Sequence, residues 1–174
     1  KRDLNLLLID GSDKKKTLNS RLIPGGRLRE LSFFAMKRCD HVIVTRAPHL
    51  QRDLMFAQKK ATPAFFSNQW PQTLKGENLP SASKSLLVCA VAHPDKVLSE
   101  LTRIGVQLRS TLFFPDHHPI SRDEIVCQIN DCEAVITTYK DYWRDPDLFA
   151  DLPCKVYLAP LLVQVPDFSF LNSV

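Results

Sequence analysis

The chain has 174 residues, 44% of them hydrophobic and 24% charged, enough to bury a substantial core as one ordinary domain or as one lobe of a larger enzyme. A net charge of +4 and a pI near 8.8 favour an anionic partner or a membrane surface, and are too small to argue for nucleic acid. The five cysteines are odd in number, form no C-x-x-C, and have no histidine at metal-finger spacing, which argues against both a disulfide framework and a zinc site. Reduced thiols in a cytoplasmic protein are the simpler account.

No apolar run is long enough to span a bilayer, and no signal peptide opens the chain. The first residues lead almost at once into a run from Leu6 to Ile9 that reads as a buried strand. A chain opening on a core strand is expected to be cut from something longer. After a polar loop holding Lys14-Lys15-Lys16, which reads as solvated, Leu31 to Cys39 has helical spacing and His41 to Thr45 reads as a strand. His49 to Gln58 is again helix-like, and Ala64 to Ser67 is strand-like. An internal loop or hairpin is expected near 68–85, where Gly76, Pro80 and several serines and lysines gather between Pro71 and Ser85.

Beyond it, Ser85 to Val91 reads as a strand, and Pro94 opens a helix running to Ile104. Gln107 to Phe113 is the next strand. Ser121 followed by Glu124 is a capping box for a helix reaching Asn130. Ala134 to Thr138 and Lys155 to Ala159 complete the strands. These apolar runs lack strict alternation, as strands covered on both faces do. The succession predicts an α/β, three-layer fold: a mostly parallel or mixed sheet with helices on both faces, residues 1–174 forming one domain or one lobe.

Three clusters carry polar chemistry. In Pro24-Gly25-Gly26-Arg27-Leu28-Arg29-Glu30, a chain break presents two arginines and a carboxylate; the arginine fork suits phosphate oxygens, though ordinary salt bridges satisfy the same residues. In Phe114-Pro115-Asp116-His117-His118, an acid stands beside an imidazole between a strand and a capped helix, where α/β sheets place their sites. A turn capped by Asp116 with solvated histidines is the competing account. In Thr138-Tyr139-Lys140-Asp141, a strand end offers either contacts to an anion or a helix cap, and spacing favours the cap. The chain holds only five glycines and no G-x-x-x-x-G-K-[ST], so no motif assigns nucleotide binding to it.

Taken in order, these clusters resemble the C-terminal part of the bacterial tetraacyldisaccharide 4'-kinases. That family's Leu-Pro-Ala-Gly-x-Leu-Arg-Glu loop is matched by Ile23 to Glu30, and its Arg-x-Asp-x-Val-Ile-Val-Thr strand by Arg38, Asp40, Val42, Ile43, Val44 and Thr45. Its Phe-x-Asp-His element is matched by Phe114, Asp116 and His117, and its Thr-Glu-Lys-Asp by Thr138, Lys140 and Asp141. The resemblance implies part of a P-loop kinase-like fold whose P-loop and Asp-Asp-Gly motif lie upstream of Lys1.

It further implies phosphoryl transfer from ATP, with Mg²⁺, to the 4'-hydroxyl of a lipid A disaccharide precursor at the cytoplasmic face of the inner membrane, with no nucleic acid involved. In that picture His117 pairs with an aspartate of the N-terminal half, Asp116 orients the loop, Arg29 faces the transferring phosphate, and Glu30 helps organise the metal or its water. Arg27, Lys140, Thr138 and Asp141 are the implied substrate or phosphate contacts, and no residue of this chain is a direct metal ligand. Peripheral membrane contact is expected through the N-terminal part, and the isolated chain is expected to be inactive.

Two departures stand out. Ala90-Val91-Ala92-His93-Pro94 replaces a Gly-Ile-Ala-Asn-Pro segment, and Tyr139 replaces the glutamate of Thr-Glu-Lys-Asp. They leave room for a non-catalytic α/β binding module derived from the same fold. A metal hydrolase built on His93 or on the His117-His118 pair is the weaker third reading, because no other ligands are evident.

Overall fold

The computed structural model describes residues 4–11, 21–25, 28–45, 54–56, 59–116 and 118–165. The chain divides into two compact units, Lys1–Phe66 with Val163–Val174, and Ser67–Leu162.

In the first unit, β1 (Leu6–Asp10) lies parallel to β2 (His41–Thr45), with Leu6 opposite His41 and Asp10 opposite Thr45. β2 pairs in parallel with β4 (Lys59–Asn68), and β3 (Leu54–Phe56) joins β4 antiparallel. Helix α1 (Ser32–Arg38) buries Met36 on a cluster with Ile9, Val42, Val44, Cys39 and Ala61. A staple fixes where the two parallel strands begin. Asp40 Oδ2 accepts from the Asn5 backbone N–H at 2.7 Å, and the Asp40 N–H donates to the Asn5 carbonyl at 2.8 Å.

The helix expected over His49 to Gln58 is corrected in its described part. Leu54–Phe56 is a strand paired with Lys59–Ala61, which begins three residues after Phe56. A local helical period yields here to a hairpin partner close in sequence. The other residues of that span lie outside those described.

The second unit is built on an all-parallel sheet in the order β6-β5-β7-β8, made of β5 (Ser85–Cys89), β6 (Leu108–Phe113), β7 (Ala134–Thr138) and β8 (Lys155–Ala159). Every residue of β5 is buried, as expected for a central strand covered on both faces. Helix α2 (Pro94–Arg103) covers one face, packing Leu101, Val97 and Leu98 on Leu87, Cys89, Ile136 and Tyr157. The other face carries α3 (Arg122–Ile129), α4 (Tyr139–Arg144) and α5 (Asp147–Ala150), whose Ile125, Ile129, Tyr142 and Phe149 meet Leu86, Val88, Val135 and Phe114. Helices on opposite faces give this unit the three layers read from the sequence.

The local signals act as expected. Pro94 fills the first turn of α2, and Gly105, at φ 93°, turns the chain out of that helix. The Ser121 hydroxyl accepts the Glu124 N–H to start α3. The loop after Pro71 folds back around Gly76, at φ 83°, so that Gln72 bridges Asn78 and also exchanges two backbone hydrogen bonds with Leu158. A short strand, β9 (Leu161–Gln164), ends the described chain. Among the described residues, no helix is long and apolar enough to cross a membrane.

Candidate active site

In a parallel sheet, all strands end on one edge, so the loops after β5, β6 and β7 of the second unit emerge side by side. The strand order also reverses there. β5 leads through α2 to β6 on one side, whereas β7 lies on the other side and leads on to β8. Such a switch point is where open α/β sheets form their crevices.

Two of the sequence-predicted residues meet at that edge. Lys140 Nζ donates to Asp116 Oδ1 at 2.9 Å, with the two side chains 50% and 34% exposed. One of the three ammonium donors is used in this contact, and the group stays open to solvent. His118 is engaged elsewhere: its Nδ1 donates to the Pro119 carbonyl at 2.8 Å, and its ring lies 6.3 Å from that of Phe114 at an interplanar angle of 15°. His117 lies outside the described residues.

Thr138 and Asp141 face the fold rather than the solvent. The Thr138 hydroxyl accepts the Asp141 N–H at 3.1 Å and donates to Asp141 Oδ2 at 2.9 Å, which caps α4. Asp141 is fully buried; its Oδ2 also accepts the Ala90 N–H at 3.0 Å, and its Oδ1 accepts Arg144 Nη2 at 3.0 Å. The spacing that favoured a cap over a ligand contact for Thr138 therefore describes the local structure.

Neither Ala90 nor Arg144 was among the sequence candidates. Arg144 had a weak signal in its i,i+3 position relative to Asp141. The Ala90 backbone had none, since only the fold brings it 51 residues back to that carboxylate. Removing one partner from a buried charge of this kind costs about 3–5 kcal/mol, whereas an exposed pair such as Asp116–Lys140 contributes about 0–1 kcal/mol. Beside this network, the buried Cys89 thiol is pushed up to about 12, by burial first and then by the Asp141 negative charge. It is a packed thiol, not a nucleophile.

In the first unit, Arg29 is exposed on the loop before α1. Glu30 is held by Arg38, whose Nη2 lies 2.7 Å from its carboxylate, with side chains 66% (Arg38) and 43% (Glu30) exposed. Arg27 lies outside the described residues. Among the described residues, no three His, Cys, Asp or Glu side chains gather as a group able to hold a metal ion. Glu30 is thus a single carboxylate, fit to act with other ligands but not to form a metal cage by itself.

Comparison with known proteins decides the family. The model of the family described as Tetraacyldisaccharide-1-P 4'-kinase matches residues 1–173. The chain belongs to this family. A tetraacyldisaccharide 4'-kinase of Paramagnetospirillum magneticum is 31% identical over 160 residues, covering 89% of this chain and 46% of that protein. One from Parvibaculum lavamentivorans is 29% identical over 148 residues, covering 82% and 42%. The crystal structure of LpxK from Aquifex aeolicus, described as an "apo" form in complex with ATP, superposes with a TM-score of 0.68 at 21% identity, over 99% of this chain and 51% of that one.

The fold is therefore that of the kinase family, and the chain spans about half the length of the relatives it matches. Within the kinase family's series of motifs, the Arg-x-Asp element now has a structural meaning in this chain. Arg38 holds Glu30, and Asp40 staples β1 to β2.

Proposed function

We propose that this chain is the C-terminal portion of an ATP-dependent lipid kinase that phosphorylates the 4'-hydroxyl of a tetraacyldisaccharide 1-phosphate in lipid A biosynthesis. The observation that carries the reading is the Asp116–Lys140 pair. Two family-motif residues, 24 positions apart, meet at the switch-point edge of a parallel sheet in a chain that matches the kinase family.

Phosphoryl transfer asks a protein mainly for positioning and charge neutralisation. Lys140 offers an ammonium held in place by Asp116 yet open to an anion. Arg29 offers an exposed guanidinium fork for phosphate oxygens. His117, next to Asp116, pairs with a carboxylate of the N-terminal half and keeps it basic enough to receive the sugar hydroxyl proton. Glu30, oriented by Arg38, would help organise a magnesium ion, whose chemistry here would be to neutralise phosphate charge. ATP and Mg²⁺ find their main binding motifs upstream of this chain, so the 174 residues alone are inactive. The enzyme works at the cytoplasmic face of the bacterial inner membrane, where a tetraacylated substrate resides, with membrane contact supplied by the N-terminal part.

Turnover of the intact enzyme with purified disaccharide substrate tests this reading. His117→Ala and Lys140→Met should each lower kcat/KM by about 10²-fold or more, as removal of a proton-transfer or charge-stabilising group does. Normal turnover in the His117→Ala enzyme would remove His117 from the mechanism.

A further inference from the structure

The Asp116–Lys140 contact is a surface pair between two flexible side chains, and such a pair does not hold a loop in place by itself. Something else must set where the two residues meet. The backbone supplies a closed circuit. The loop bearing Asp116 is fastened at Phe114, whose N–H donates to the Cys89 carbonyl at 2.8 Å. The next residue of that strand end, Ala90, donates its N–H to Asp141 Oδ2 at 3.0 Å. Asp141 adjoins Lys140, and Lys140 Nζ closes the ring on Asp116.

The β5–β7 ladder runs from Ser85 opposite Ala134 to Val88 opposite Thr137 and stops there. Two residues beyond Val88, the Asp141 carboxylate takes the Ala90 N–H and so links the chain after β5 to the start of α4. Arg144 on Oδ1 and the Thr138 hydroxyl on Oδ2 hold the same carboxylate, so three donors on two oxygens fix the orientation of the side chain.

We infer that Asp141, with Arg144 as its counter-ion, is the positioning residue of the site. It joins the end of β5 to the start of α4 and thereby fixes Lys140 against Asp116, without touching substrate. This rests on the kinase reading for its consequence in turnover, but not for its geometry.

The test uses the intact enzyme with Asp141→Asn, Arg144→Leu and Arg144→Lys. Displacement of a reacting constellation by about 1 Å costs about a hundredfold in rate, so Asp141→Asn and Arg144→Leu should lower kcat tenfold to a hundredfold while KM for ATP changes little. Arg144→Lys should recover most of the loss. A lowered melting temperature with unchanged kcat per folded molecule would overturn the inference, leaving Asp141 a merely structural residue.

The geometry is read separately from the nuclear Overhauser contact between the Lys140 and Asp116 side chains in selectively labelled protein. That contact should vanish in Asp141→Asn, and in Arg144→Leu should the first variant not fold, while the Ser85–Val88 amides stay protected. Its persistence would overturn the inference whatever the activity. Loss of the contact in an enzyme that does not phosphorylate the disaccharide would sink the kinase reading and support the positioning role.

Discussion

Two adjacent threonines at the end of β7 should respond in opposite directions to the same change. Thr137 is fully buried, and its hydroxyl is the one buried side-chain polar atom among the described residues without a hydrogen-bond partner. Thr138 donates to Asp141 and accepts from it. Replacing Thr137 by valine exchanges an unpaired hydroxyl, which costs about 1–3 kcal/mol to bury, for a methyl group of nearly equal size. The methyl itself adds burial of about 0.8 kcal/mol. After allowance for imperfect packing, Thr137→Val should stabilise the protein by about 1–2 kcal/mol, or about 2–4 °C in Tm per kcal/mol for a chain of this length.

Thr138→Val loses a helix cap worth about 1 kcal/mol and deprives a buried carboxylate of one donor at a further cost of about 1–3 kcal/mol. A loss of about 2–4 kcal/mol follows. Urea titrations followed by far-ultraviolet circular dichroism, with m compared between variants, give both values. Destabilisation by Thr137→Val would show that its hydroxyl is satisfied in solution and refute the reasoning.

The Cys89 thiol makes stability depend on alkaline pH. Its folded pKa, about 12, lies above the ordinary 9.0, so the folded state keeps a proton that the unfolded state releases. The contribution is fully present below pH 9.0 and declines as pH rises toward 12; Cys89→Ala, compared with wild type in denaturant melts at pH 8 and pH 10, should flatten that decline. An equal pH slope in both proteins would contradict it. Thermal shift of the 174-residue chain with ATP and Mg²⁺ should show little stabilisation, because the proposed phosphate-binding motifs lie elsewhere. A rise of several degrees that saturates with ATP would contradict the half-site account.

Much of the second unit was legible because the apolar stretches of its strands are local features of the sequence. β7 and β8 have the bounds that the sequence implies: β7 is buried from Ala134 to Thr137, as a strand covered on both faces is, and β8, at the sheet edge, still buries Tyr157, Leu158 and Ala159. The capping box at Ser121 and the proline opening α2 located two helix starts for similarly local reasons. What escaped depended on distance along the chain. Leu54–Phe56 has no strand signal apart from its pairing with Lys59–Ala61. α4 and α5 are 6 and 4 residues long, too short to show a period, and what they pack on the sheet is only Tyr142, Leu148 and Phe149.

The same distinction explains the two fates of the Thr138–Asp141 cluster. Lys140 and Asp141 are neighbours in sequence with similar claims to an anionic ligand, yet one is half exposed and the other fully buried. A helix beginning at Tyr139 points consecutive side chains about 100° apart, so only one of them can face the crevice while the other turns into the sheet edge. The exposed member carries its charge to solvent, where the proposed reaction would bring a phosphate. The buried member carries no charge outward and instead determines where its neighbour stands. Substitutions at Lys140 should therefore alter turnover with little change in stability, and substitutions at Asp141 should alter both. In the proposed half-site, whose chemistry depends on position, the buried carboxylate is the more restrictive requirement on the sequence.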